Sequence, residues 1–285
     1  MSLYFELNHG NQQFYAILNK TNDENWELFI GGKKHGCIMM DCRRGRCMLQ
    51  RVGYDQRCNT SGDMPRGSGT ISMIKAALLF VFDTFPEIQT ILLQDHSSVD
   101  CNETSIYLPH TQIIQYGKTW YERKINARLR NEKKYKCIEA FVAHISQKPT
   151  WKNLWDFIQD EIHKESIPSF RKAIHDVWEH TGSFREMIVY MLQNNQCHLF
   201  AEWLDQYFMN YSKISIMNQY YVVNRQNDTN FTYARIPSNP YVQQLDKKAQ
   251  SARMNVFSTY IPRMKYGGTR DTHGKISCND LSFLD

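Results

Sequence analysis

The sequence lacks the features that mark membrane-spanning and exported proteins. No apolar stretch reaches about 18 residues without a charge, the usual minimum for a transmembrane helix. The longest apolar run, IKAALLFVFDTF, is interrupted by Lys75 and Asp83. The first residues, MSLYFELNHG, contain neither the basic nor the long apolar segment of a signal peptide. We therefore expect no membrane span and an intracellular, cytoplasmic protein.

Several catalytic and metal-binding motifs are also missing. The chain has no G-x-S-x-G, H-E-x-x-H or G-x-x-x-x-G-K-[ST] sequence, which disfavours several hydrolase classes and P-loop nucleotide triphosphatases. It has eight cysteines, but the cluster of Cys37, Cys42, Cys47 and Cys58 contains no C-x-x-C pair. We therefore predict no metal site. In a reducing compartment these cysteines are expected to be mostly free thiols.

The first 130 residues alternate between strand-like and helical patterns. FYAILNK and NWELFIGG are strand-like, and GCIMMDCRRGRCMLQRVGY predicts a β-hairpin that turns at Gly45. A loop rich in glycine, serine and asparagine leads to TISMIKAALLFVFDTF, which predicts a helix buried on most of its surface. IQTILLQDHS then predicts a central strand. This order predicts an α+β fold with a mixed sheet and flanking helices.

The remaining chain divides into two regions. Residues 131–221 show apolar positions three and four apart in five segments, which predicts a helical domain. Residues 222–285 begin with the strand-like YYVV and are then polar and rich in turn residues. We expect this region to be an extended or partly disordered C-terminal tail. The helical domain and the tail are the expected surfaces for protein partners.

A glycine loop precedes the predicted buried helix. In GDMPRGSGT, Gly67 and Gly69 lie where a strand passes into a helix, and backbone N–H groups at such a helix start can bind phosphate. Glycine allows close approach of the backbone, and Arg66 would add positive charge. The alternative is a glycine turn that serves only to enter the helix.

The order of these segments resembles the acetyl-CoA-binding core of the GNAT acetyltransferase superfamily. RGSGTISMIKAALLFVF is similar to the family's glycine loop and central helix, EIQTILLQDHS to the strand that separates from its neighbour to admit the pantetheine arm, and WYERKINARL to its tyrosine helix. The resemblance implies acetyl transfer from acetyl-CoA to an amine, with Tyr121 as general acid. Asp95 and His96 are then the candidates for a general base. The implied pyrophosphate site consists of five consecutive residues: Arg66, Gly67, Ser68, Gly69 and Thr70.

The sequence departs from the family pattern at two places. Met64 stands where the family has Gln or Arg, and Ile125-Asn126 stands where it has Gly-Phe. PRGSGT, LLQDHSSVDC and YGKTWYE are also similar to uncharacterised proteins of nucleocytoplasmic large DNA viruses that carry a GNAT-like core. For such a protein the location would be the host cytoplasm or the virion. The alternative to an acetyltransferase is therefore a non-catalytic viral assembly or minor capsid protein that uses the same fold as a scaffold.

A basic segment offers a third alternative. GKTWYERKINARLRNEKKYK carries eight basic residues, and Trp120 and Tyr121 lie among them. Such a segment could bind nucleic acid by phosphate contacts and base stacking. The net charge of +5 over 285 residues is too small to argue for this by itself. A solvated helix face and linker explain the segment equally well.

Overall fold

The structure is a computed structural model that describes residues 1–22, 24–31, 36–43, 45–53, 58, 60, 68–101, 104–162, 167–216, 219–225 and 228–237. The chain forms two compact units. The first contains Met1–Leu93 and the described chain from Tyr221 onward, and the second contains Gln94–Tyr220. The boundary that we predicted after residue 130 falls inside the second unit. Within the described ranges, no helix is long and apolar enough to cross a membrane.

The strands, numbered in chain order, have the following bounds: β1 Ser2–His9, β2 Gln12–Lys20, β3 Asn25–Gly31, β4 Gly36–Arg43, β5 Arg46–Val52, β6 Thr90–Gln94, β7 Ser98–Cys101, β8 Thr104–Tyr107, β9 Arg128–Leu129, β10 Tyr220–Asn224 and β11 Phe231–Ile236. The sheet of the first unit has the order β11-β1-β2-β3-β4-β5-β6-β10. Neighbours from β11 to β5 are antiparallel, whereas β5 and β6 are parallel. The sheet is therefore mixed, as the sequence predicted.

The helices are α1 Ser68–Thr84, α2 Leu108–Tyr116, α3 Trp120–Ile125, α4 Glu132–His144, α5 Trp151–Glu161, α6 Ile167–Glu179, α7 Phe184–Gln193 and α8 Leu204–Ser212. Helix α1 connects the parallel strands β5 and β6 and is buried at almost every position from Met73 to Phe82. Its Phe80 ring packs between Phe5 of β1 and Tyr233 of β11, with ring centroids 4.8 and 5.1 Å away. These contacts confirm the prediction of a buried helix under a sheet.

The second unit has an aromatic core built by its helices. Tyr207 of α8 stacks on Phe184 of α7 with a centroid distance of 4.0 Å, and Phe208 packs against Phe141 of α4 at 4.5 Å. Trp203 is fully buried and donates its indole N–H to the Leu199 carbonyl over 2.7 Å. Helices α4 to α8 confirm the predicted helical region. Strands β7 and β8 form a separate antiparallel pair within this unit.

The cysteines correct one prediction. Disulfides join Cys37 to Cys58, Cys42 to Cys47 and Cys101 to Cys197, and none of the described cysteines is a free thiol. Cys42 and Cys47 are directly opposite each other in the β4–β5 register. The free-thiol prediction was wrong because it rested on an assumed compartment; strand pairing brings Cys42 and Cys47 together, and tertiary packing brings together the other two pairs. Disulfides of this kind are typical of oxidising environments.

The predicted tail begins with ordered strands. Strand β10 starts at Tyr220, and β11, residues Phe231–Ile236, pairs with β1 along its whole length. The extended region therefore cannot start at residue 222. Residues 238–285 lie outside the described part of the chain.

Candidate functional site

The structure brings together two of the residues predicted to be catalytic. Asp95 directly follows β6, and Tyr121 is the second residue of α3. Burial, together with the charge of the Asp95 carboxyl, raises the pKa of the Tyr121 phenol above its ordinary range. The phenol therefore stays protonated and uncharged next to a carboxyl group.

The Asp95 carboxyl is buried, and its two oxygens differ in their hydrogen bonding. The residue is 1% exposed. Its Oδ1 accepts hydrogen bonds from the Ser97 backbone N–H at 3.1 Å and from the Ser97 hydroxyl at 2.5 Å. Its Oδ2 is buried and has no hydrogen-bond partner among the described residues. Burial raises the pKa of Asp95, while the Ser97 hydrogen bonds and the nearby His96 and His110 act in the opposite direction.

A buried histidine completes the group of ionisable side chains, which we call the Asp95 cluster: Asp95, Ser97, His110, Tyr121 and Asp205. His110 is on α2, and its Nδ1 lies 2.5 Å from the Asp205 carboxylate on α8. Its ring stacks on Phe208 at 4.4 Å. The other nitrogen, Nε2, is buried without a hydrogen-bond partner in the described residues. The cluster thus contains two of the buried polar atoms that have no hydrogen-bond partner among the described residues, and a bound polar group or a catalytic role would explain them.

Sequence reasoning missed His110, Asp205 and Ser97. His110 and Asp205 are 95 residues apart, so no local spacing could have indicated their contact. Ser97 follows Asp95 by two residues, and a serine at this spacing commonly forms a turn with an aspartate side chain. That local pattern is too frequent to mark a site.

Helix α3 is only six residues long and is held at its start by a capping box. The Thr119 hydroxyl accepts from the Glu122 backbone N–H at 3.3 Å, and the Glu122 carboxylate accepts from the Thr119 backbone N–H at 2.7 Å. Burial raises the pKa of Glu122 even though these hydrogen bonds oppose the shift. The sequence T-x-x-E could have indicated this cap. It fixes the short segment that carries Tyr121.

The other predicted site residues are not in the cluster. The third predicted catalytic residue, His96, is exposed, and its Nε2 lies 3.4 Å from Gln94. Ser68, Gly69 and Thr70 form the first turn of α1 in the first unit, where Gly69 is buried. Arg66 and Gly67 lie outside the described residues.

A polar cavity of about 570 Å³ lies in the second unit. Its walls include Lys118, Glu122, Arg128 and Glu132, so both signs of charge face it. Tyr135 also lines it, and burial and the neighbouring Glu122 raise the pKa of its phenol. The cavity is therefore suited to a small molecule that carries charge.

Two further groups of side chains, one on α6 and one in the basic segment, are weaker candidates for a binding site. His175, Asp176 and Glu179 on α6 have ligand atoms within 4.8 Å of one another, but Asp176 and Glu179 are exposed, and exposed acidic groups often cluster without an ion. In the basic segment, the Trp120 ring contacts Tyr121 edge-on at 5.1 Å. Because these aromatic rings pack on each other, they are poorly placed to stack on nucleic-acid bases.

Comparison with protein-family models, with curated proteins and with solved structures finds no match for this chain. The class of protein is therefore described by its architecture, a mixed sheet with a buried crossover helix and a helical unit.

Proposed function

We propose that the chain is an N-acetyltransferase that uses acetyl-CoA. The observation that carries this proposal is the electrostatic interaction of a buried carboxyl, Asp95, with a half-buried neutral phenol, Tyr121. A carboxyl and a phenol held together in a site are suited to accept and to donate a proton. Acetyl transfer to an amine needs both functions, because the amine loses a proton and the leaving sulfur gains one.

Asp95 is the proposed general base. Burial moves the pKa of this carboxyl toward neutral pH, and a general base is most effective when its pKa lies near the working pH. The unpaired Oδ2 is the atom that would take the proton from the attacking amine. Ser97 holds the other oxygen, which fixes the direction of Oδ2. His96, exposed on the next residue, is the less suitable candidate for this step.

Tyr121 is the proposed hydrogen-bond donor to the leaving sulfur. Its raised pKa keeps the phenol protonated but also makes it a weaker acid. A weaker acid stabilises a developing negative charge mainly by hydrogen bonding and transfers its proton late. Tyr121 would thus act as the general acid in the final stage of the reaction.

The start of α1 is the proposed site for the pyrophosphate of acetyl-CoA. The first turn of α1 contains no acidic residue, and the positive end of the helix dipole favours an anion there. Ser68, Gly69 and Thr70 would hold the pyrophosphate together with Arg66 and Gly67. Acetyl-CoA supplies an activated acetyl thioester when bound.

The sheet next to α1 supports this placement. Strands β5 and β6 pair at only three positions, from Cys47↔Ile91 to Leu49↔Leu93. A register shift in the β4–β5 pairing adds Gln50 as an extra residue in β5 immediately after the last of these positions. Such a bulge bends the strand locally, and the β4–β5 pairing resumes after it at Met39↔Arg51. A bend of β5 at the point where its pairing with β6 stops would leave room for a ligand arm.

The cavity in the second unit suits the acceptor. Glu122 and Glu132 would attract a cationic amine, while Lys118 and Arg128 would attract a negative group on the same molecule. This combination favours a small acceptor that carries both charges over a purely apolar amine.

Calorimetric titration of the purified full chain with acetyl-CoA tests the proposal. We expect micromolar binding that is lost when Gly67 and Gly69 are replaced by bulky residues. In a transfer assay with amine acceptors, Tyr121→Phe should lower turnover by about 10²-fold. Tyr116→Phe is the matched control, since Tyr116 is 54% exposed and the Arg123 guanidinium lies over its ring at 3.6 Å. No binding heat at millimolar acetyl-CoA, or equal turnover of Tyr121→Phe and wild type, contradicts the proposal.

The disulfides favour a second candidate function. The disulfides between described cysteines suit a protein that works in an oxidising environment, including the surface of a virus particle. A non-catalytic assembly or minor capsid protein would use the fold as a scaffold and need no open site. The same titration separates the two candidates. A chain that does not bind acetyl-CoA but forms stable complexes with itself or with structural proteins supports the scaffold.

A further inference from the structure

A serine, a histidine and an aspartate form a hydrogen-bonded chain in the first unit. The Ser72 hydroxyl lies 2.7 Å from His9 Nδ1, and His9 Nε2 lies 3.2 Å from an Asp228 carboxylate oxygen. The three residues come from α1, from the end of β1 and from the segment before β11. Neither the sequence motifs nor the proposed acetyl transfer uses any of them.

The fold holds the histidine and the aspartate in place through backbone contacts. His9 is the last residue of β1 and pairs with Phe231, the first residue of β11. Asp228 therefore lies in the turn just before that pair, and its second oxygen accepts the Asn230 backbone N–H over 2.9 Å. The next residue of the β1–β2 turn, Gly10, donates its backbone N–H to the Asn230 carbonyl over 3.1 Å. These bonds fix the carboxylate relative to the imidazole ring.

The order of hydrogen bonds gives each group a role. With Nε2 protonated and donating to Asp228, the lone pair of His9 Nδ1 faces the Ser72 oxygen, and the single Ser72 proton can turn to Nδ1 from its other acceptor, the His9 carbonyl oxygen at 3.0 Å. The Asp228 pKa is lowered by its hydrogen bond from Asn230 and also by His9 and Lys75, which keeps this carboxylate ionised. A serine next to a histidine that is oriented by a carboxylate is the arrangement that activates a hydroxyl nucleophile. Such arrangements are recognised by these roles and not by their order along the chain.

The surroundings of Ser72 fit a nucleophile. Ser72 is partly exposed, and the side chains of His9 and Asp228 are 13% and 24% exposed, so a small reagent can reach them. Ser72 is the fifth residue of α1. Lys75, three residues further, lies on the same face of the helix and acts electrostatically on Asp228. Its ammonium group would stabilise negative charge that develops next to the Ser72 oxygen.

We propose that Ser72 is a nucleophilic serine that takes an acyl group from ester substrates, with His9 as its general base and Asp228 orienting His9. The Ser72 oxygen attacks the ester carbonyl carbon and forms a new carbon–oxygen bond, while its proton passes to His9 Nδ1. The bond to the alcohol breaks, and His9 returns the proton to the departing alkoxide. Water, deprotonated by His9 in the same way, then releases the acid and regenerates the serine.

A fluorophosphonate probe tests this proposal on the full chain. The Ser72 oxygen would form a bond to phosphorus, fluoride would leave, and the proton would pass to His9. We expect mass spectrometry of proteolytic peptides to find the label on Ser72 and to find none in Ser72→Ala. His9→Phe should slow labelling by about 10²-fold or more, the usual contribution of a general base. Asp228→Asn should slow it by at least about tenfold, because an amide can favour the wrong tautomer of the ring.

The control is a serine that lacks a histidine. Ser146 is exposed and donates its hydroxyl to the Val142 carbonyl over 2.9 Å. Ser72 also has a backbone carbonyl as an alternative acceptor, that of His9 at 3.0 Å, so the two serines differ mainly in the imidazole and carboxylate. Labelling of Ser72 in the folded wild type no faster than that of Ser146 overturns the proposal. In that case the three residues only stabilise the packing of β1 on α1. Ser72→Ala should then lower the unfolding temperature and leave the labelling pattern unchanged.

Discussion

At the scale of single residues, the raised pKa of the Asp95 carboxyl makes the stability of the protein depend on pH. Burial raises its pKa from the ordinary value of 3.8. The native state thus binds a proton more tightly at this group than the unfolded chain does. At pH values between the ordinary pKa and the raised native pKa, Asp95 is deprotonated in the unfolded chain but still protonated in the native state. The contribution of Asp95 to the free energy of unfolding therefore falls as pH rises through this window and is constant above it.

The variant Asp95→Asn tests whether Asp95 causes this pH dependence of the free energy of unfolding. An amide oxygen can accept the same two hydrogen bonds from Ser97, but an amide does not ionise. We expect the stability of the variant, relative to wild type, to rise as pH increases from 3.8 through the native pKa. Urea unfolding at a series of pH values measures the difference. Asp83→Asn, at an exposed position on α1, is the control and should show a much smaller trend. A difference between Asp95→Asn and wild type that does not change with pH would show that the carboxyl is not perturbed.

At the scale of elements, the short helix α3 determines where Tyr121 lies. Six residues are too few to be stable alone, so its capping box matters more than in a long helix. Thr119 is fully buried, and its side chain is the acceptor in that box. A loss of the cap should displace Tyr121 relative to Asp95.

We expect Thr119→Ala to lower the free energy of unfolding by about 1–2 kcal/mol, the usual value of a helix N-cap. Ser183→Ala is the matched control. Ser183 is also a buried N-cap and accepts the Glu186 backbone N–H over 3.1 Å, but it starts α7, which carries no member of the Asp95 cluster. Chemical unfolding should give similar losses for both variants, whereas acetyl transfer should fall only in Thr119→Ala. Equal activity of the two variants would mean that the cap does not position Tyr121.

The elements also show what the sequence could predict. The β4–β5 hairpin was predicted from a glycine flanked by apolar runs, and Gly45 indeed adopts a positive φ of 73°. Thr150 and Ser183, residue types that favour helix N-caps, accept backbone N–H groups at the starts of α5 and α7. These features depend on neighbouring residues, which is why local patterns find them.

Features that depend on distant residues were missed. Strand β11 leaves most of its residues exposed, so it has no buried stripe that a pattern could reveal. Strand β1 buries only Phe5 and Leu7, which is too weak a pattern to stand out. Tyr121 was proposed from a local motif, the tyrosine helix, whereas His110 meets Asp205 only through tertiary packing. Three of the five members of the Asp95 cluster were therefore not identified from the sequence.

At the scale of the whole molecule, the disulfides bear on both units and on where the protein works. Two of them, Cys37–Cys58 and Cys42–Cys47, lie in the first unit, and Cys101–Cys197 lies in the second. These disulfides argue against the predicted cytoplasmic location, because thiols in the cytoplasm are kept reduced. A cytoplasmic protein would need a dedicated oxidation step to form them. The location stays a prediction, but the disulfides themselves can be tested on the purified chain.

The three bonds should not contribute equally to stability. In the chain-entropy account, a cross-link stabilises by restricting the unfolded chain, and the effect grows with the length of the loop that it closes. Cys101 and Cys197 are 96 residues apart, whereas Cys42 and Cys47 are five apart. Replacing both members by alanine should therefore cost about 4–5 kcal/mol for the long loop and about 2 kcal/mol for the short one. Urea unfolding of the two double variants measures this difference, and the reduced wild type, which should lose at least as much as the long-loop variant, is the internal control. If the long-loop variant is as stable as the untreated wild type, Cys101 and Cys197 are not bonded in solution, and the original expectation of free thiols regains support for that pair.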